Sequence, residues 1–159
     1  MSPDLAAAFK DAMAAVCTPV AVVTALDGAR PHGTTVSAFA SLSASPPSLL
    51  VSLDRGSDLL ALITVSGEFG VNILGHGQSE LAARFARKGQ DKFAGVEWSG
   101  ADGVPRLAGV PGWFACRVAQ SVPAADHVLL VGEVHALATA PAAPLTYHGR
   151  VFGTHHVPA

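Results

Sequence analysis

Charge is scarce in this chain of 159 residues: Asp, Glu, Lys and Arg together make up 14% of it. The 10 basic and 12 acidic residues leave a formal charge of −2, so nothing recommends a nucleic-acid or anionic-membrane partner. Cysteine is limited to Cys17 and Cys116, far apart and in no C-x-x-C. That excludes a disulfide-rich scaffold and points to free thiols in a reducing compartment, the cytoplasm. No apolar run reaches the roughly 18 residues of a membrane span. Ala12 to Leu26 comes nearest, and Thr18-Pro19 breaks it. The N-terminus lacks the basic segment and long apolar stretch of a signal peptide. Also missing are G-x-S-x-G, G-x-x-x-x-G-K-[ST], a strand-borne G-x-G-x-x-G and H-E-x-x-H. Histidines stand at 32, 76, 127, 135, 148, 155 and 156 without metal-ligand spacing, so no metal site is expected. No carboxylate pair stands out for acid/base work.

Half of the residues are apolar, and the length fits one domain, 1–159, with a real core. So few charges on so apolar a chain imply apolar surface buried between subunits, with a two-fold homodimer as the default form.

The local pattern is mainly β. Ser2-Pro3-Asp4 opens a helix whose Leu5, Phe9, Ala12, Met13 and Val16 line one face. Val20 to Leu26 reads as a buried strand, and Asp27-Gly28 as a hairpin turn. Ser48 to Leu53 follows Pro46-Pro47 as a strand, and Ser57 caps a short helix, Asp58 to Val65. Phe69 to Leu74 is a strand, Ser79 to Arg87 a helix, and Lys88 to Arg106 a long loop. Trp113 to Val122, Asp126 to Thr139 and Leu145 to Phe152 complete the strands, with Gly132 marking a bulge or bend. Consecutive strands without βαβ alternation favour an antiparallel barrel or sandwich of six or seven strands with three short helices.

The segment from Gly33 to Ser43 is the most unusual. Period-two alternation makes it one strand, with Thr35, Ser37, Phe39, Ser41 and Ser43 on one face. No charged residue occurs from Gly33 to Leu53. A solvated face normally carries charges; a face of small hydroxyls also suits a ligand rich in hydrogen-bonding groups, and both readings stay open here. Three weaker signals accompany it. Arg84, Arg87, Lys88 and Lys92 gather near Phe85 and Phe93, as a solvated helix end or as a phosphate clamp. Asp126-His127 opens an otherwise apolar strand, and Tyr147, His148 and Arg150 mark the last one.

Together these stretches resemble the flavin reductase family, of the FMN-binding split-barrel fold, the small reductase partners of two-component flavin monooxygenases. The resemblance rests on the order of several blocks. They are Thr18-Pro-Val-Ala-Val-Val-Thr24, Gly33 to Ser43, Pro46-Pro-Ser-Leu-Leu-Val-Ser-Leu53, Phe69-Gly-Val-Asn-Ile-Leu74, Leu81-Ala-Ala-Arg-Phe-Ala86, Asp91-Lys-Phe93, Asp126-His127 and Val131-Gly-Glu-Val134. It implies an antiparallel, Greek-key split β-barrel and an enzyme that passes a hydride from NADH or NADPH to FMN or FAD. The reduced flavin would then serve a separate monooxygenase. It places Thr35, Val36, Ser37, Ala38 and Ser41 along the flavin, and Ser52, Leu53 and Asp54 by its ring and ribityl chain. Ser57 would meet phosphate at a helix start. Phe85 would pack nearby, Lys88 and Lys92 would answer phosphate or adenylate charge, and His127 would stand on the nicotinamide side as the catalytic residue. Tyr147, His148 and Arg150 would be further cofactor contacts. Two departures stand out: Ala125 where Gly commonly precedes Asp-His, and Phe152 where Tyr is common. A flavin-binding protein without turnover and another split-barrel flavin oxidoreductase, of the pyridoxamine-phosphate-oxidase type, are the alternatives.

Overall fold

The computed structural model describes residues 3–89 and 91–159. In chain order the elements are α1 (Pro3–Ala14), β1 (Thr18–Pro19), β2 (Ala21–Asp27), β3 (Arg30–Val36), β4 (Phe39–Ala44) and β5 (Pro47–Asp54). There follow α2 (Asp58–Ser66), β6 (Glu68–Ile73), a 3-10 turn at His76–Gln78, α3 (Ser79–Phe85), β7 (Trp98–Ala101) and β8 (Val104–Leu107). The chain ends with β9 (Gly112–Ala124), β10 (His127–Thr139), β11 (Leu145–His148) and β12 (Val151–Thr154). Ser2, expected to cap α1, lies outside the described residues.

The molecule is mainly β, as expected, and its centre is a seven-stranded antiparallel sheet in the order β3-β2-β6-β9-β10-β5-β4. Strands β2 and β6 run in the middle of one half. Alternation along β2 sends Ala21, Val23 and Ala25 into one apolar layer and Val20 and Val22 into the other. A strand buried on both faces needs the near-continuous apolar run that Val20 to Leu26 supplies. Leu59, Leu60 and Ile63 of α2 close the first layer with Phe69, Val51 and Leu130. Cys116 lies in this layer, and burial pushes its thiol pKa up to about 12, which leaves it unreactive. Phe85, Phe93, Leu107, Trp113 and Leu145 form the second layer.

The Gly33–Ser43 segment is two strands, not one. β3 pairs with β2, ending where Val36 faces Ala21; β4 pairs with β5, starting where Phe39 faces Val51. These are the two opposite edges of the same sheet. Ser37 and Ala38 form the corner between them, where the Ser52 N–H donates to the Ala38 carbonyl at 2.9 Å. Two-residue alternation runs through such a corner unbroken, so the sequence pattern does not reveal it.

Two other expectations change, and a third element is left open. The long loop after α3 contains the β7–β8 hairpin, turning at Asp102 and Gly103, both at positive φ. The final strand is a hairpin as well, β11–β12, turning at Gly149 and Arg150, again both at positive φ, and it pairs with β1 in a separate small sheet. The apolar face of α1 does not enter the core: Phe9 is 64% exposed, and Leu5, Met13 and Val16 are exposed with it.

Gly132 marks an irregularity in the β9–β10 register, as expected. Its hydrogen makes room for an aromatic ring: an added Cβ would lie 2.4 Å from Phe69 Cζ and 2.9 Å from Cys116 Cβ. Gly132→Ala is therefore expected to destabilise the fold by roughly 1–3 kcal/mol through overpacking. A chemical denaturation midpoint equal to that of the wild type would contradict it.

Candidate functional site

The corner between β3 and β4 opens into a groove of 750 Å³. Every residue from Arg30 to Ala38 lines it. Consecutive residues line one wall because the groove follows the open edge of β3 and is not confined to one face. An edge strand presents backbone N–H and C=O groups on its free side. The facing wall is the end of β5, with Ser52, Leu53 and Asp54, and the start of β10, with His127. Asp54 and His127 sit directly opposite each other in the β5–β10 ladder.

The remaining walls carry the charge. Ser57, at the start of α2, accepts from the Leu60 N–H at 3.3 Å, and its helix presents the positive end of its dipole. Asp58 in the first turn and Asp54 oppose that field; the Asp54 carboxylate is turned onto the Gly56 N–H at 2.7 Å. Arg87, Lys88 and Lys92 face them from the chain after α3. Lys88 is exposed, whereas Lys92 is half-buried. The Lys92 ammonium donates to the carbonyls of Gly33 and Phe85, each at 3.0 Å. Burial lowers its pKa from the ordinary lysine value, and Asp58 partly counters the shift.

His127 is held by its neighbour. Its Nδ1 lies 2.8 Å from Asp126 Oδ1, and a carboxylate only accepts, so Nδ1 carries the proton. That bond holds the Asp126 carboxyl below its usual range. Nε2 is left as the ring nitrogen available to the groove, into whose lining the residue projects. The Arg55 N–H donates to the Asp126 carbonyl at 2.9 Å and ties this turn to β5.

The groove fits a flavin on three observations. Its floor is the uncharged, hydroxyl-bearing Thr34–Ala38 stretch with an open backbone edge. Its volume admits a tricyclic ring with a side chain. Its lining includes Arg87, Lys88 and Lys92 from one stretch of chain, cations that suit a phosphate.

A model of the flavin reductase like domain matches residues 13–156. The chain belongs to the flavin reductase-like family. Among relatives, it is 41% identical over 131 residues to a probable flavin reductase of Rhizobium meliloti. That match covers 81% of this chain and 42% of the relative, so this chain spans less than half of that protein. It is 39% identical over 151 residues to an NADH:riboflavin 5'-phosphate oxidoreductase of Streptomyces pristinaespiralis, covering 92% and 86%. Among solved structures, a nitrilotriacetate monooxygenase component B homologue from Mycobacterium thermoresistibile superposes with a TM-score of 0.92 at 30% identity, covering 98% of this chain and 92% of the other.

Of the positions that the resemblance singled out, Thr35, Val36, Ser37, Ala38, Ser52, Leu53, Asp54, Ser57, Lys88, Lys92 and His127 meet around the groove. Some are already engaged. The Thr35 hydroxyl donates to the Ala82 carbonyl at 2.6 Å, and the Ser52 N–H is spent on the corner. Phe85 lies behind the wall, fully buried, with its ring edge-on to Phe93 at 4.9 Å. Ser41 is exposed on β4, beyond the groove lining. Tyr147, His148 and Arg150 lie in the small sheet, where Tyr147 packs on Phe152 and Arg150 pairs with Asp11.

The sequence reading passed over Arg30, His32 and Thr34, which line the same wall. The Nε2 of His32 is buried without a hydrogen-bond partner. Arg30 and His32 precede the uncharged Gly33–Ser43 segment, and Thr34 alternates onto its other face, so no sequence signal marks them.

Ala125, two residues before His127, has φ of +52°. The left-handed region is costly for a residue with a Cβ and favours the Gly that the resemblance implies at this position. Ala125→Gly is expected to stabilise the fold by roughly 0.5–1 kcal/mol, the relieved strain net of the added unfolded-state freedom. A lowered denaturation midpoint would show that the turn gains nothing from Gly.

Proposed function

We propose that residues 1–159 form a single domain of the FMN-binding split-barrel type, an NAD(P)H:flavin oxidoreductase that supplies reduced FMN or FAD to a separate monooxygenase. The observation that carries this reading is the uncharged edge from Gly33 to Ala38 lying opposite Ser52–Asp54 and His127 across one groove. The curl that brings the β3 and β4 edges to a common corner supports the split barrel. NADH and FMN follow from the Streptomyces pristinaespiralis relative, and the monooxygenase partner from the nitrilotriacetate component B homologue.

The dihydronicotinamide supplies a hydride and the flavin ring accepts it, so the protein needs no acid/base dyad of its own. Its residues bind and align. Ser37 and the open backbone of β3 offer neutral hydrogen bonds, each contributing about 1 kcal/mol. Such bonds orient a flavin without holding it so firmly that it cannot leave. Lys88 and Arg87 offer the phosphate end a charge-assisted bond from an exposed position. His127, its ring fixed by Asp126, bounds the side of the groove where the nicotinamide carboxamide would lie and presents Nε2 to it.

The same reading includes a homodimer. The accessible surface is 9141 Å². A compact monomer of 16.1 kDa exposes about 7,400 Å². The excess, about 1,700 Å², is the scale that one subunit gives to an obligate dimer. Phe9, Met13, Leu42, Val122 and Leu137 are among the exposed apolar side chains available to a second copy. The free thiols of Cys17 and Cys116 accord with the cytoplasm.

Mixing the protein with NADH or NADPH and free FMN or FAD should consume the nicotinamide absorbance. No oxidation in any of the four combinations would overturn the reductase reading, and bound flavin without turnover would favour a binding protein. Ser37→Ala should raise the flavin KM by tenfold at most, the loss of about one hydrogen bond. His127→Ala should raise the KM for the nicotinamide more than that for flavin; the reverse would put His127 on the flavin side. Sedimentation should give a mass near 32 kDa, about twice that of one chain; a monomer at micromolar concentration would remove the dimer.

A further inference from the structure

Lys92 is placed as no other cation of the groove is. It comes after the last turn of α3, and its Nζ reaches back to the Phe85 carbonyl and across to the Gly33 carbonyl, 3.0 Å from each. An ammonium has three N–H donors, and two are spent here. Gly33 leaves room for the Phe85 ring: an added Cβ would lie 3.0 Å from Phe85 Cε1 and 3.2 Å from Val22 Cγ1 of β2. The Thr35 hydroxyl donates to Ala82 O at 2.6 Å, and that of Thr34 reaches Phe85 O at 3.5 Å. The Phe85 carbonyl at the end of α3 thus takes donors from Lys92 and Thr34, and the Ala82 carbonyl takes the Thr35 hydroxyl beside the Ala86 N–H. Phe93, next to Lys92, sets its ring edge-on against Phe85.

We propose that Lys92 is a positioning residue, fixing the edge of β3 along which the flavin lies by bridging Gly33 to Phe85, and that it is not a phosphate ligand. The proposal rests on the flavin-binding reading of the groove. A charge-assisted bond to a backbone carbonyl is stronger than a neutral one, and a carbonyl stripped of its donor in a half-buried place is costly. Without Lys92 the Gly33 carbonyl loses a partner, and the first residue of the uncharged edge is free to shift against α3. The ring-binding part of the groove would loosen, whereas the phosphate end would keep Lys88 and Arg87.

Riboflavin separates the two roles, because it has the ring and ribityl chain but no phosphate. Kinetics with NADH are measured for riboflavin, FMN and FAD in the wild type, Lys92→Met and Lys92→Arg. Lys92→Met is expected to lower kcat/KM for all three flavins by the same factor, roughly tenfold. The change should lie in KM, with kcat at saturating flavin held within about twofold, whereas a loss of folded protein alone would lower kcat and leave KM unchanged. Lys92→Arg, whose guanidinium can serve both carbonyls, is expected to recover all three to within about threefold of wild type. A loss confined to FMN and FAD, or no loss with any flavin, would overturn the proposal. Should Lys92→Met not fold, Lys92→Gln takes its place, since its amide can donate to a carbonyl but carries no charge: an equal loss with the three flavins supports positioning, and a loss with the phosphorylated ones alone, or none, overturns it. A wild type inactive with every flavin would instead remove the reductase reading itself.

Discussion

One uncharged stretch of chain has to serve as both edges of the same sheet. β3 closes one side, β4 closes the other, and only Ser37 and Ala38 separate them. The sheet must curl until its edges share a corner, and the Ser52 N–H to Ala38 carbonyl bond fastens that corner to β5. The groove is what remains open beside it. The corner itself is exposed, and the charges of the groove, Asp54, Asp58, Arg87, Lys88 and Lys92, come from other segments. The absence of charge from Gly33 to Leu53 leaves the corner side of the groove lined with neutral groups.

The β3 side of the groove is held from further away. Thr24 and Asn72 are the buried polar residues of the core among those described. Asn72 accepts from the Leu107 N–H at 2.8 Å and donates to Thr24 Oγ1 at 3.2 Å, while Thr24 donates to the Pro105 carbonyl at 2.7 Å. A satisfied network of this kind fixes one arrangement where apolar packing would tolerate several. It docks the β7–β8 hairpin on the sheet. Trp98 at the start of that hairpin lies edge-on to Phe93, Phe93 to Phe85, and Phe85 fills the space that Gly33 leaves. A chain of packed rings therefore runs from the buried amide to the floor of the groove.

Part of this was legible from the residues. The strand-rich pattern, the buried β2, the Ser57 cap and the turn at Asp27-Gly28 are local statements, and local geometry obeys them. The family resemblance named eleven positions that gather around the groove, because motif order tracks the folded arrangement. The same kind of local signal was overlooked at Asp102-Gly103 and Gly149-Arg150, where positive φ makes tight turns inside stretches read as loop and strand. The exposed apolar face of α1 shows the converse: periodicity identifies a face that avoids water, but not which surface covers it.

Sequence by itself determined the class of structure, the family and the neutral character of the central segment, because each depends on residue type and order along the chain. Only the tertiary structure decided that this segment turns a corner and lines the groove along its edge. Alternation survives a corner, and pairing partners lie far away in sequence. Nor could the sequence show that Lys92 spends its donors on Gly33 and Phe85, the first of them 59 positions away. A basic residue near an aromatic reads the same whether its ammonium meets a ligand or the backbone. Which carbonyls come within 3 Å of it is settled by packing.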